Sequence, residues 1–160
     1  MPGVPELMKI QPPTALDDLR VSFKGYIEPP YGDVDITKVP ILVSVGRGLQ
    51  QRENLVLAEE LAAVLGGTVS ASRPVVDQGW LPSSRLVGKS GKTVKPKLYL
   101  ALGISGAPEH IEGMREAELV VAVNTDEMAP IYDIAHFGTA VDALTLLLVL
   151  IEKIKATKGD

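Results

Sequence analysis

The feature that most constrains this chain is a series of apolar runs, each stopped by a short polar turn. Ile41-Leu42-Val43-Ser44-Val45 runs into Gly46-Arg47-Gly48-Leu49, and Thr68-Val69-Ser70-Ala71 into Ser72-Arg73. A brief Leu86-Val87 meets Gly88-Lys89-Ser90-Gly91-Lys92. Lys97 to Leu102 stops at Gly103-Ile104-Ser105-Gly106-Ala107-Pro108-Glu109-His110, Leu119 to Val123 at Asn124, and Gly138 to Val141 at Asp142. Short continuous apolar runs bounded by turn residues read as strands buried on both faces. Helical patterns separate them. Leu55, Leu57, Ala58, Leu61, Ala62 and Leu65 share one side after a possible cap at Asn54, and Gly66-Gly67 stops that helix. Ser72 precedes a short helical turn with Pro74 near its start. Asp142 opens a long helix from Ala143 to about Lys155, with Lys153 and Lys155 where cations suit the dipole. That helix is apolar almost all round from Leu144 to Ile151, so burial on more than one side, or cover by a partner, is expected.

Strands alternating with helices make the fold class α/β: a three-layer, doubly wound parallel sheet of about six strands, Rossmann-like. In such a sheet all strand ends of one kind lie along one edge, so these turns line a single cleft. Composition agrees. Apolar residues make up 46% of the 160 residues and aromatics only 4%, so the core is built of Val, Leu, Ile and Ala. A net charge of −4 without a basic block argues against a nucleic-acid partner. No apolar run reaches the roughly 18 residues that span a bilayer, so no membrane insertion is expected. There is no cysteine, which excludes disulfides and thiolate ligands and fits a reducing, cytoplasmic compartment.

Residues 1–38 differ from 39–160. Prolines 2, 5, 12, 13, 29 and 30 crowd the first part, and Leu19 to Tyr26 alternates apolar and polar like a half-buried strand. We therefore expect a Pro-rich segment and linker over 1–38 and one folded domain over 39–160.

Several motifs fail on inspection. Ser90-Gly91-Lys92-Thr93 looks like the end of a phosphate loop, but Leu86 stands where the first glycine belongs and Pro96 blocks the following helix. Gly46-Arg47-Gly48 starts a dinucleotide fingerprint whose third glycine is Gln51. No nucleophile elbow occurs, and two histidines without thiols assign no metal. The Ser105–His110 segment is stronger. A strand ends there and a helix begins, and helix-start N–H groups favour an anion or an electron-rich carbonyl. Glycines, hydroxyls and the cations of Arg47 and Arg73 together suit a phosphate-bearing cofactor.

The order and spacing of these turns, with Pro74 to Gly79, Ala129-Pro130-Ile131 and the Gly138–Asp142 segment, resemble the C-terminal FAD-binding domain of the electron transfer flavoprotein α subunit. The resemblance runs from about Val39 to about Ile154. It implies FAD as cofactor, extended across the sheet edge. Arg47, Asn124 and Asp142, with Ala143, would hold the adenosine-diphosphate side. Ser72 and Arg73 would sit by the pyrophosphate and the flavin ring. Val87, Gly88, Lys89 and Ser90 would run along the isoalloxazine, and Ser105, Gly106, Ala107 and His110 by the ribityl chain and pyrimidine end. It also implies an electron carrier, not an enzyme, working with an electron transfer flavoprotein β subunit, flavin dehydrogenases and a quinone reductase. Many members carry glutamine and threonine where this chain has Lys89 and Ser90. In the family an α/β domain precedes this one, and residues 1–38 look like its tail. The sheet architecture alone would also suit a module that binds NAD or AMP without redox work.

Overall fold

The computed structural model describes residues 8–11, 24–25 and 33–159. The strand expected over Leu19 to Tyr26 falls outside the described residues, save for Lys24 and Gly25. Five parallel strands form one sheet: β1 (Ile41–Val45), β2 (Thr68–Ala71), β3 (Leu98–Leu102), β4 (Leu119–Val123) and β5 (Phe137–Thr139), in the order β2-β1-β3-β4-β5. The expected count of about six is corrected by one. Leu86-Val87 makes only isolated bridges, Ala71 to Leu86 and Val87 to Lys92, because two residues at the outer edge are too few to extend a ladder.

The helices are α1 (Leu55–Leu65), α2 (Arg73–Asp77), α3 (Pro108–Met114) and α4 (Ala143–Lys158). Strand residues alternate between two cores. On one face Val43, Val45, Val69, Leu100 and Leu102 pack under Ala58 and Leu61 of α1 and Leu147 and Ile151 of α4. On the other, Leu42, Tyr99, Ala101, Val120 and Ala122 meet Met114 of α3, Val87, Val94, Ile131 and Ile36. Burial on both faces explains why the strands read as unbroken apolar runs. Because β2 and β3 flank β1 on opposite sides, the chain reverses direction across the sheet between β1 and β3. That is the switch point where open α/β sheets take ligands.

One local expectation comes out differently. Asn54 stands at the start of α1 but in helical backbone (φ −75°, ψ −9°), so its side chain cannot fold back as a cap; its Nδ2 donates to the Leu49 carbonyl at 2.8 Å. Ser72 makes no side-chain cap to α2, and its Oγ lies 3.4 Å from the Val45 carbonyl. Of the two alternatives for helix α4, burial on more than one side is not met: it is buried through Ala143, Leu147 and Ile151, while Leu148 and Val149 are exposed. Asp142 does cap α4: Thr145 N donates to its Oδ1 at 3.0 Å. Asp142→Ala is therefore expected to cost about 1 kcal/mol, the usual worth of an N-cap, read as a lower urea midpoint at unchanged slope.

Candidate functional site

The cleft lies over the switch point and is built from backbone outward. The turns after β1 and β3 cross in direct main-chain contact, with Gly48 N donating to the Gly103 carbonyl at 3.1 Å. A Cβ on Gly48 would stand 2.5 Å from Gly103 Cα. Gly103 itself has φ +63°, the left-handed region that side chains resist. The segment after Leu86 folds onto α3: Lys89 N donates to the Glu109 carbonyl at 2.7 Å, and Gly88 N to the Lys92 carbonyl at 3.1 Å. Gly88 (φ +138°) lies so close to Glu109 that a Cβ would meet its carbonyl oxygen at 2.8 Å. The Ser105 turn is held from outside, where Ile131 N donates to the Ser105 carbonyl at 2.9 Å.

These turns enclose a cleft of about 480 Å³, within the range of small-molecule sites. Arg47, Ser72, Arg73, Val87, Gly88, Lys89, Ser90, Ser105, Gly106, Ala107, His110 and Asn124 all line it. Asp142 and Ala143 do not. Asp142 is occupied with capping α4 and accepting from Gln50 Nε2 at 3.0 Å, and Ala143 is buried in the core. Residues not picked out as binding from sequence also line it, among them Pro74, Leu86, Ile104 and Glu109. Ile104 and Leu86 are apolar neighbours of the polar turns, so no chemical signal marked them.

Arg47 is exposed and makes no ion pair with a described residue. Arg73 is held by two partners: its Nε donates to Asp77 Oδ1 at 2.8 Å and its Nη1 to Ser90 Oγ at 3.1 Å. Ser90 thus accepts from arginine and keeps its own hydrogen free to donate. Lys89 Nζ lies 3.9 Å from Glu112 Oε2, on the α3 side. Asn124 supports the loops, donating to the Ile104 carbonyl at 2.9 Å and accepting from Asp126 N at 3.0 Å. The N–H groups of Ser105, Gly106 and Ala107 donate to no described residue.

His110 is buried at 6% exposure, although it sits in the first turn of α3. Its Nε2 lies 2.9 Å from the Tyr99 hydroxyl, which is 2.7 Å from Ser44 Oγ. Its Nδ1 is buried and has no hydrogen-bond partner. Burial pushes the imidazole pKa down to about 4, partly offset by the Val87 backbone. At neutral pH His110 is therefore uncharged. It works as a hydrogen-bonding group, and the positive charge of the cleft comes from arginine and lysine. Tyr99 was missed in the sequence. It sits inside an apolar strand, and only the strand register brings it to Ser44 and His110.

A family model described as the electron transfer flavoprotein FAD-binding domain matches residues 35–115, half of the chain. The chain belongs to that family. Among curated relatives, a Protein FixB of Azotobacter vinelandii is 43% identical, over 98% of this chain and 49% of its own length. An electron transfer flavoprotein subunit alpha of Mycobacterium leprae is 47% identical over 78% of this chain and 39% of its own. An acryloyl-CoA reductase electron transfer subunit beta of Anaerotignum propionicum is 44% identical over 89% and 40%. The chain spans about half the length, or less, of these relatives. The cofactor of this FAD-binding domain is FAD, and the donor set fits it. Two arginines suit a pyrophosphate, the unengaged Ser105–Ala107 amides suit carbonyl or phosphate oxygens, and the unpartnered His110 Nδ1 awaits a polar atom. No helix among the described residues is long and apolar enough to cross a membrane.

Proposed function

We propose that this chain is the flavin-holding part of an electron carrier. It accepts electrons from flavin dehydrogenases and hands them to a quinone reductase or another acceptor, paired with an electron transfer flavoprotein β subunit in the cytoplasm. The observation that carries this reading is the convergence of polar turns from the ends of β1, β2 and β3, and from the Val87–Ser90 turn, on one cleft at the switch point. Bound FAD supplies the redox chemistry. The chain's own residues bind and orient. Arg47 and Asn124 face the adenosine-diphosphate side, with Asp142 and Ala143 behind them. Ser72 and Arg73 lie by the pyrophosphate and the ring, and Arg73 brings a cation already aligned by Asp77. Val87 to Ser90 form an edge along the ring, where Ser90 offers a donor. Ser105, Gly106, Ala107 and neutral His110 present donors to the ribityl chain and the pyrimidine end. Preset donors of this kind favour negative charge on the ring and so raise its potential.

The test is an absorbance titration with FAD, for the chain alone and with its β subunit. Flavin bands that stay with the protein through gel filtration are expected in at least the second case. A colourless protein under both conditions, or one that takes NAD or AMP in place of FAD, overturns the proposal. Arg73→Ala is expected to weaken FAD binding about ten- to a hundredfold, since a charge-assisted hydrogen bond is worth about 1.5–3 kcal/mol, while leaving the urea midpoint near the parent's.

A further inference from the structure

We propose that Tyr99 is a positioning residue: its hydroxyl, fed by the hydroxyl of Ser44, holds His110 as the neutral tautomer protonated at Nδ1. The argument is a count of hydrogens. Ser44 and Ser70 lie side by side in the β1–β2 register, both fully buried on the face that carries Tyr99. Ser44 Oγ is 2.7 Å from the Tyr99 hydroxyl. Ser70 Oγ has no hydrogen-bond partner. Ser44 has no other described acceptor for its hydrogen. A phenol oxygen has two lone pairs and one hydrogen.

Two arrangements satisfy the distances. In one, Tyr99 donates to Ser44 and His110 donates from Nε2 to Tyr99. The Ser44 hydrogen is then stranded in an apolar core, at a cost of the order of 1–3 kcal/mol. In the other, Ser44 donates to the Tyr99 oxygen, and Tyr99 donates to His110 Nε2 at 2.9 Å. The Ser44 and Tyr99 hydrogens then both point at an acceptor. Nε2 is committed as acceptor, so the ring proton of the neutral imidazole sits on Nδ1. Tyr99 keeps its proton throughout, because burial pushes the phenol far above its ordinary pKa. The consequence for the cleft rests on the function proposed above: the ring nitrogen turned away from Tyr99 is a fixed donor, aimed at an acceptor atom of the bound cofactor.

The chain has two histidines, and the second is an internal reference. His136 Nδ1 accepts from Val120 N at 3.0 Å, so its proton lies on Nε2. Long-range proton–nitrogen NMR of the uniformly labelled full chain at pH 7, without FAD, reads both tautomers. The expected spectrum has opposite tautomers at the two residues: Nδ1–H at His110 and Nε2–H at His136. In Tyr99→Phe the His110 ring is expected to lose its single tautomer, with His136 unchanged. In the double variant Ser44→Ala with Ser70→Ala, the Tyr99 donor remains and His110 keeps Nδ1–H. An Nε2–H tautomer at His110 in the parent, or an unaltered His110 pattern in Tyr99→Phe, overturns the proposal. If Tyr99→Phe does not fold, the parent spectrum alone decides. None of these readouts involves the cofactor, so failure to bind FAD and failure of the tautomer assignment are separate results.

Discussion

Gly103→Ala is expected to destabilise the domain by about 3 kcal/mol or more and to abolish FAD retention, because two penalties coincide there. The residue holds φ +63°, where a Cβ is strained whatever the surrounding space. That Cβ would also stand 2.5 Å from Gly48 Cα and 2.8 Å from its carbonyl carbon. Both obstacles are main chain, so no rotamer change relieves the clash. The turns after β1 and β3 have to separate, and the bond from Gly48 N to the Gly103 carbonyl breaks with them. Urea denaturation measures the first effect and flavin absorbance the second. A control such as Gly66→Ala, also at positive φ (+74°) but with nothing near the added carbon, isolates the steric part. It is expected to cost about 1 kcal/mol, the strain of a left-handed side chain alone. Equal costs for the two variants would show that the contact between the turns carries no weight.

Arg85→Ala comes next, and its effect is tied to pH. Arg85 Nε donates to Asp33 Oδ1 at 2.7 Å and its Nη1 to the Val69 carbonyl at 2.9 Å, so one guanidinium ties the incoming chain to edge strand β2. The pair is mostly buried, with side chains 18% and 14% exposed, and Ser84 also donates to Asp33. The Arg85 hydrogen bond is the main reason the Asp33 pKa falls from 3.8 to about 2. A carboxylate depressed on folding stabilises above its unfolded pKa, and that stability fades as pH falls through the folded value. The parent is thus expected to lose about 2 kcal/mol from this group between pH 4 and pH 2. Arg85→Ala lacks the larger part of the increment at pH 7 and loses correspondingly less on acidification, since Ser84 and Val34 N still donate to Asp33. Asp35 and Glu116 are also lowered, by hydrogen bonds from Thr37 and Lys95, but both proteins share them. The difference between the two stability curves therefore isolates Asp33. Arg85→Lys is not expected to rescue, because a point charge cannot reach both acceptors with a fork. A constant gap between the curves from pH 7 to pH 2 would refute the assignment.

Strands β1, β2 and β4 occupy the very residues that their apolar runs marked, because burial on both faces leaves an unbroken signal in the sequence. The cleft was legible for a related reason. Its donors follow β1, β2 and β3, so topology alone gathers Arg47, Arg73, Ser105 and His110. Leu86-Val87 carried the same kind of signal but sits at the sheet's outer edge, where only isolated bridges to Ala71 and Lys92 form. Asn54 had the right side chain for a cap, and its helical backbone decided otherwise. Asp142 and Ala143 were named by resemblance, while the structure gives them to the start of α4. The Ser44–Tyr99–His110 chain lay furthest from view. Ser44 and Tyr99 lie inside strands and His110 in the first turn of α3, so register and not sequence spacing joins them, and no periodicity announces the link.

The turns around the cleft are fastened to one another by main-chain amides and carbonyls: Gly48 to Gly103, Lys89 to Glu109, Ile131 to Ser105. Side chains take no part in those fastenings. The outline of the cleft and its electrical character are therefore separable properties. Exchanging Lys89 or Ser105 alters the charges and donors that a bound ring feels without breaking any of these main-chain bonds. A lineage built on this frame is free to move a redox potential up or down by single substitutions, and to keep its hold on the same cofactor while doing so.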